Sequence, residues 1–499
     1  AIVELFDSSG NFIQRKNTDI NGYYSFGGMA DGDYRIKAVN STVRSNRGGL
    51  NCSTCYPVQT FRKYRGPSSL IEVTDEVGGA YPTAQQDVAL GVLINAQSVS
   101  EVSVAGDGVV GIDFGFNFNA IVNTNESGQG SLEQFIVNSN NLNETGLDIE
   151  ANSIFDPAAG EDTSIFVIPS NADPLGRTVD TNFTGSYFDI LISNSQQLSV
   201  VTGENTNIDA RTQTAFTGDT NSGNVGGGGS FVGTSANSLP LYERPEIQLH
   251  AEVGDVIRIQ GNNTVIRNLS VFAGNNAGIQ ILGGSSVISN SIIGVNAVGS
   301  NAGNINFGIE ITGGTTVIDG NYIATNQDNG ILVNGGTSVV IQDSHITANG
   351  NSACDDNIKL QNGSGIVIQS NLIDNASALG IDGDGITGNV TITENSIMTS
   401  GQDGGVCAGD IENAGIKLDG SNSSITNNII ASNGGAGIVL SGGNTTGNLI
   451  SQNSIYANGT SSPALGIDLD QADELGDGVT LNETADSDNG PNSLLKGPV

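Results

Sequence analysis

Gly278-Ile279, Gly308-Ile309, Gly330-Ile331, Asn357-Ile358, Gly380-Ile381, Gly415-Ile416, Gly437-Ile438 and Gly466-Ile467 recur at spacings of 30, 22, 27, 23, 35, 22 and 29 residues. A fixed minimum spacing with insertions is the signature of a solenoid. The units are short and rich in Gly, Asn, Ile, Val and Thr, which break helices or favour a pleated surface, so each reads as one coil of strands. A second column runs through Asn290-Ser291-Ile292, Asn321-Tyr322-Ile323, Asn371-Leu372-Ile373, Asn395-Ser396-Ile397, Asn428-Ile429-Ile430 and Asn453-Ser454-Ile455, with Ser344-His345-Ile346 in one unit. Stacked amides hydrogen-bond from coil to coil at the strand spacing of ~4.8 Å, and Asn tolerates left-handed turn geometry. The expected fold is all-β, a parallel β-helix with Ile and Val stacked inside.

A chain of 499 residues exceeds one ordinary compact domain, but a solenoid grows along one axis and has no such limit. Seventy Gly, no Trp, 2 His and 14% charged residues describe a repetitive β scaffold rather than a typical enzyme. Charge is polarised: residues 1–65 carry nine cations against five acids, a net +4, and the rest of the chain carries −39. An acidic body argues against nucleic-acid binding and against an anionic membrane surface. No apolar run reaches the ~18 residues of a membrane span.

The four cysteines fall as Cys52/Cys55 and Cys354/Cys407. No His or zinc-type spacing accompanies the first pair, so it reads as a short-range disulfide of an oxidising, extracellular compartment. Cys354 and Cys407 lie in insertions two coils apart and read as a loop-to-loop clamp. The chain opens at Ala1 with no signal-peptide pattern, which points to a processed product or a segment of something longer.

Along the chain, residues 1–118 alternate in short runs, at 2–7, 21–26 and 31–36, expected to form a small β-sandwich closed by a pair of strands at 101–104 and 110–116. Residues 47–95 read as a loop-rich insertion holding the two cysteines. Residues 119–250 hold an amphipathic helix, with Leu132, Phe135 and Ile136 on one face after a Ser cap, then wide irregular first coils with a glycine-rich loop at 223–229. Such a helix suits the plug that an open solenoid end needs. Residues 251–499 are the regular coils with an acidic final turn.

Val3-Glu4-Leu5-Phe6-Asp7, Thr18-Asp19-Ile20-Asn21-Gly22-Tyr23-Tyr24-Ser25-Phe26, Asp31-Gly32-Asp33-Tyr34 and Gly111-Ile112-Asp113-Phe114-Gly115 resemble the B-type repeat domains of bacterial surface adhesins of the serine-aspartate-repeat and collagen-adhesin kind. Residues 119–499 are similar to right-handed parallel β-helix repeat proteins of bacterial surfaces. Their matching stretches are Gly130-Ser131-Leu132-Glu133-Gln134-Phe135-Ile136, Ile208-Asp209-Ala210-Arg211-Thr212-Gln213-Thr214 with Gly218-Asp219-Thr220-Asn221, and Asp486-Ser487-Asp488-Asn489-Gly490-Pro491-Asn492. The resemblance implies a cell-surface location. It also implies that a first strand and an acidic calcium loop, which precede the position of Ala1 in the adhesin family, are missing. The sandwich is then short of an edge strand, and the apolar stretch 493–499 of a neighbouring subunit is a candidate to supply it by head-to-tail β-strand addition.

Many parallel β-helices cleave polysaccharides, using clustered carboxylates or a basic residue beside calcium-bound substrate. From residue 251 onward the only cations are Arg258, Arg267, Lys359, Lys417 and Lys496. Lys359, Asp382 and Lys417 each follow the Ile of the signature in successive units, which reads as a surface charge ladder with no catalytic residue. With Asp384, these residues form the alternative carbohydrate site. His345 reads as a variable outward position. Calcium is the one cofactor expected, in the run of eight acids from 468 to 488, with Asp468, Asp470, Asp473, Asp477, Asp486 and Asp488 as ligands. The expected function is a non-catalytic extracellular fibre subunit or adhesive stalk. Its partners are other copies of itself, together with glycans or a host or neighbouring cell surface, and the alternative is a carbohydrate-binding or polysaccharide-cleaving protein.

Overall fold

The computed structural model describes the chain except residues 48–51, 67–68, 75, 84–88, 151–154, 172–177, 194–195, 353, 384, 387, 403–405, 408–409, 412, 443–444, 462, 470–490 and 492–499; of residues 406–407 and 410–411 only the backbone is described. The chain forms two compact units, Ala1–Leu191 with Gly203–Thr220, and Ile192–Thr202 with Asn221–Val499.

In the first unit, four antiparallel strands run in the order Phe12–Asn17, Ile2–Asp7, Gly32–Val39 and Ser98–Val104. Three more, Leu70–Val73, Val58–Arg65 and Phe114–Asn117, form a second antiparallel group that meets the first at one bridge, Arg65 to Val102. Alternation puts Val3, Leu5, Ile36 and Val102 on one face, and they bury together with Ile112. Three sequence expectations change here. Residues 23–26 form no strand, whereas Phe12–Asn17 does. The expected insertion supplies two strands, Val58–Arg65 and Leu70–Val73. The strands near 101 and 114 do not pair with each other, because Ser98–Val104 joins Gly32–Val39 and Phe114–Asn117 joins Val58–Arg65. The helix Leu132–Asn141 is present, with Ser131 accepting from Gln134 N at 3.1 Å and Leu132, Phe135 and Ile136 buried.

The second unit is a β-helix of three parallel sheets. In the third sheet the signature isoleucines Ile279, Ile309, Ile331, Ile358, Ile381, Ile416, Ile438 and Ile467 stand in register, with Ile257 before them. The first sheet stacks Ile266, Ile288, Ile318, Ile341, Ile368, Ile392, Ile425 and Ile450. The second stacks Val271, Ile293, Ile323, Ile346, Ile373, Ile397, Ile430 and Ile455. β-branched side chains fill these columns because one fixed χ1 lets identical neighbours nest at the strand spacing.

At the corner before the second sheet the amide ladder forms, from Ser291 through Asn321, Ser344, Asn371, Asn395 and Asn428 to Asn453. Ser291, not Asn290, is its first rung. Asn290 instead takes the left-handed position just before the ladder, where Asp343, Ser370, Glu394, Asn427 and Gln452 also have positive φ. The ladder asparagines therefore stack rather than turn. A further amide ladder, Asn304, Asn326, Asn349 and Asn357, lines the corner after the second sheet.

The glycine-rich segment departs most from expectation. It is not a coil but a strap of two short hairpin ladders, Asn224–Val225 with Tyr242–Glu243 and Phe231–Val232 with Asn237–Ser238, laid over the outer face of the second sheet. Val225 and Tyr242 bury against Ile292, Val295 and Tyr322, and Val232 and Leu239 against Leu372. Gly227 N donates to His345 Nδ1 at 2.8 Å, and Ser235 N and Oγ donate to the Glu394 carboxylate at 3.0 and 2.7 Å. His345, expected at a variable surface position, is thus buried beneath the strap and donates Nε2–H to Asp374 Oδ1 at 3.1 Å.

Candidate functional site

The outward position beside each signature Ile forms its own column, and in mid-stack it reads Leu332, Lys359, Asp382 and Lys417. Strand alternation aims these side chains away from the isoleucine core. Lys359 Nζ sits 2.8 Å from Asp382 Oδ2 and 3.1 Å from Asp356 Oδ2. Asp356 ends the turn that leads into the strand, and its Oδ1 accepts from Leu379 N of the next coil at 2.9 Å. This is not the exposed ladder expected from the sequence: Asp356, Asp382 and Lys417 are buried. The reason is local, because the turn preceding Lys359 brings Asp356 over it.

Burial, and then the neighbouring Asp382 charge, raise the Asp356 carboxyl well above the usual carboxylate range despite the opposing pull of Lys359. Burial alone would lower the Lys359 amine, but Asp356 and Asp382 outweigh it and hold the amine firmly protonated. One turn away, burial and then the Asp355 charge push Asp328 up to about 6, with a side-chain hydrogen bond between the two carboxyls. Asn329 Nδ2 donates to Asp328 Oδ1 at 2.5 Å, and Asn351 N to Asp355 Oδ2 at 3.0 Å. The cluster therefore combines a clamped cation with a carboxyl pair able to hold one proton.

The structure brings Lys359, Asp382 and Lys417 together and adds Asp328, Asp355 and Asp356, which the sequence reading missed. A signal was present: Asp328 and Asp355 each stand three residues before a signature Ile, in the same slot of successive coils. Asp384 lies outside the described residues. Of the expected calcium ligands, Asp468 is described in the outward column, in register with Val439, and Asp470, Asp473, Asp477, Asp486 and Asp488 lie outside the described residues. Among the described residues no group of three or more metal-ligating side chains is assembled.

Cys52 and Cys55 form a disulfide. Cys354 is also disulfide-bonded, and the side chain of Cys407, its expected partner, lies outside the described residues.

The family model described as right handed beta helix region matches residues 255–413, about a third of the chain. No curated protein matches. The region that this family model matches does not extend to the first unit, whose likeness to adhesin B-type repeats rests on its motifs. The match and the stacked parallel sheets agree that the coils are those of a right-handed parallel β-helix.

Proposed function

We propose that the protein is a non-catalytic extracellular structural subunit, one piece of a bacterial surface fibre or adhesive stalk that assembles head to tail. The observation that carries this reading is the state of Lys359. A lyase keeps its basic residue free to take a substrate proton, whereas this amine is held between two carboxylates at 2.8 and 3.1 Å. The continuous isoleucine columns supply stiffness, and the opposite charges of residues 1–65 and the remainder favour ordered contact between copies. The Cys52–Cys55 disulfide suits an oxidising compartment. Calcium bound by the acidic stretch from 468 to 488 would relieve its self-repulsion at such a joint.

Negative-stain electron microscopy of the full chain, with and without a chelator, tests the proposal. Filaments with a regular repeat are expected, and their loss in chelator places calcium at the joint. Isolated particles at every concentration would defeat the filament reading.

A second reading is favoured by one observation, the carboxyl at Asp328 poised at about 6 beside Asp355. On that reading the cluster is a carbohydrate-binding or polysaccharide-cleaving site. It requires polysaccharide binding or cleavage by the native protein that is abolished by Lys359→Ala with Lys417→Ala.

A further inference from the structure

The first unit contains a cavity of about 670 Å3, within the size range of ligand sites. Its floor is the inner face of the four-stranded group, at Leu5, Ile36, Val102 and Val104, and its cover is two segments, 22–29 and 106–113. Both covering segments carry strand-type sequence, yet neither forms a strand over residues 24–26 or 109–112. Their described contact is through a side chain: Tyr24 Oη donates to Ile112 O at 2.5 Å. At the mouth, Tyr23 and Val110 are 74% and 85% exposed. Strand-competent backbone without a ladder, beside an apolar space with exposed apolar residues at its rim, is the arrangement that accepts an added strand.

Charge and composition select the occupant. Asp31, Asp107 and Asp113 line the cavity, and Asp113 is only loosely met by Lys63 at 3.5 Å. An acidic strand is therefore disfavoured, and most of the chain beyond residue 65 is acidic. Of the five cations beyond residue 250, Arg258, Arg267, Lys359 and Lys417 are built into coil strands. The fifth, Lys496, follows Leu494-Leu495 directly.

We propose that this cavity is the acceptor of the head-to-tail joint and that residues 493–499 of a second copy enter it as an extended strand. Leu494 and Leu495 supply apolar side chains to the cavity, and Lys496 meets the carboxylates at its mouth. The proposal rests on the filament reading and locates its joint.

The test uses the full chain carrying Val110→Cys, Leu495→Cys, or both, alongside a Leu494→Asp/Leu495→Asp variant. Val110 is exposed, so its replacement leaves folding intact, and circular dichroism checks every variant. Mixing the two single-cysteine chains under mild oxidation is expected to give a disulfide-linked dimer, and the doubly substituted chain a ladder of oligomers. The aspartate variant is expected to need at least tenfold more protein to associate. Filaments of the aspartate variant that match the native ones, with no Val110→Cys to Leu495→Cys link, would overturn the site and leave the filament reading standing. A native chain that never associates overturns both. A doubly substituted chain that closes on itself as a monomer overturns the assignment to a second copy.

Discussion

Asn371 shows how much of this fold is decided at single side chains. Its Oδ1 accepts from Ser344 N at 3.0 Å, and its Nδ2 reaches Ile341 O and Gln369 O at 2.9 Å and Asn395 Oδ1 at 3.0 Å, from a side chain that is itself fully buried. Asn371→Ala leaves the buried Ser344 N–H without its acceptor and takes a donor from Ile341 O, Gln369 O and Asn395 Oδ1, a stranded buried group costing about 1–3 kcal/mol. The variant should therefore lose roughly 3 kcal/mol or more, read from the denaturant midpoint of the full chain; a loss below about 0.5 kcal/mol would show that the ladder is not a structural spine. The column was legible because one residue type repeats, but its start at Asn290 was misplaced by one. Ser291 makes the same contact, and Asn suits the left-handed slot equally well, so residue type alone does not separate the two positions. At Asp328 the folded carboxyl titrates near 6, above its ordinary value of 3.8, through burial and then Asp355. The raised value means that the folded state binds this proton more tightly than the unfolded chain. The resulting stabilisation is present below about pH 4 and is lost as pH rises through about 6. Asp328→Asn should therefore raise the melting temperature at pH 7.5 and flatten its decline between pH 4 and 6.5. An unchanged profile would remove the perturbed carboxyl from the account.

Among the elements, the coils were legible and the strap was not, and the difference is one of sequence distance. Each coil repeats its own pattern every few tens of residues, whereas Gly227 meets a histidine 118 residues away. Nothing periodic marks such a contact. The clue was the run of glycines itself, since a Cβ on Gly226 would run into the Tyr322 ring and the residue holds φ at 61°. Strand-type sequence at 23–26 also misled, because alternation says that a segment can pair and not that a partner is present. The charged column was visible by spacing, but its burial depends on the turn holding Asp356, whose length varies from coil to coil. Gly226→Val combines that clash with a β-branched residue in a left-handed conformation, about 1–2 kcal/mol before the clash is counted. The strap should open at least tenfold more often, seen as faster proteolysis within residues 226–240 while the cooperative unfolding of the coils keeps its midpoint. A strap cleaved no faster than the native one would show that its hold does not depend on the close approach at Gly226.

For the whole molecule, the opposing charges of +4 over residues 1–65 and −39 over the rest predict how assembly responds to salt. Long-range attraction guides encounter and sets the association rate, while apolar contact at the joint sets how slowly copies part. Screening shortens the reach of the first from about 30 Å at 0.01 M salt to about 10 Å at 0.1 M and leaves the second nearly untouched. The rate of filament growth, followed by light scattering, should therefore fall by at least tenfold between those salt concentrations. Preformed filaments diluted into the higher salt should shorten at an unchanged rate. Lys16→Glu, on the exposed edge strand Phe12–Asn17, should slow growth in low salt alone. Growth that is indifferent to salt would mean that the charge polarity has no part in assembly, and dissociation that accelerates strongly with it would mean that charged contacts such as that of Lys496, rather than the apolar ones, hold the joint.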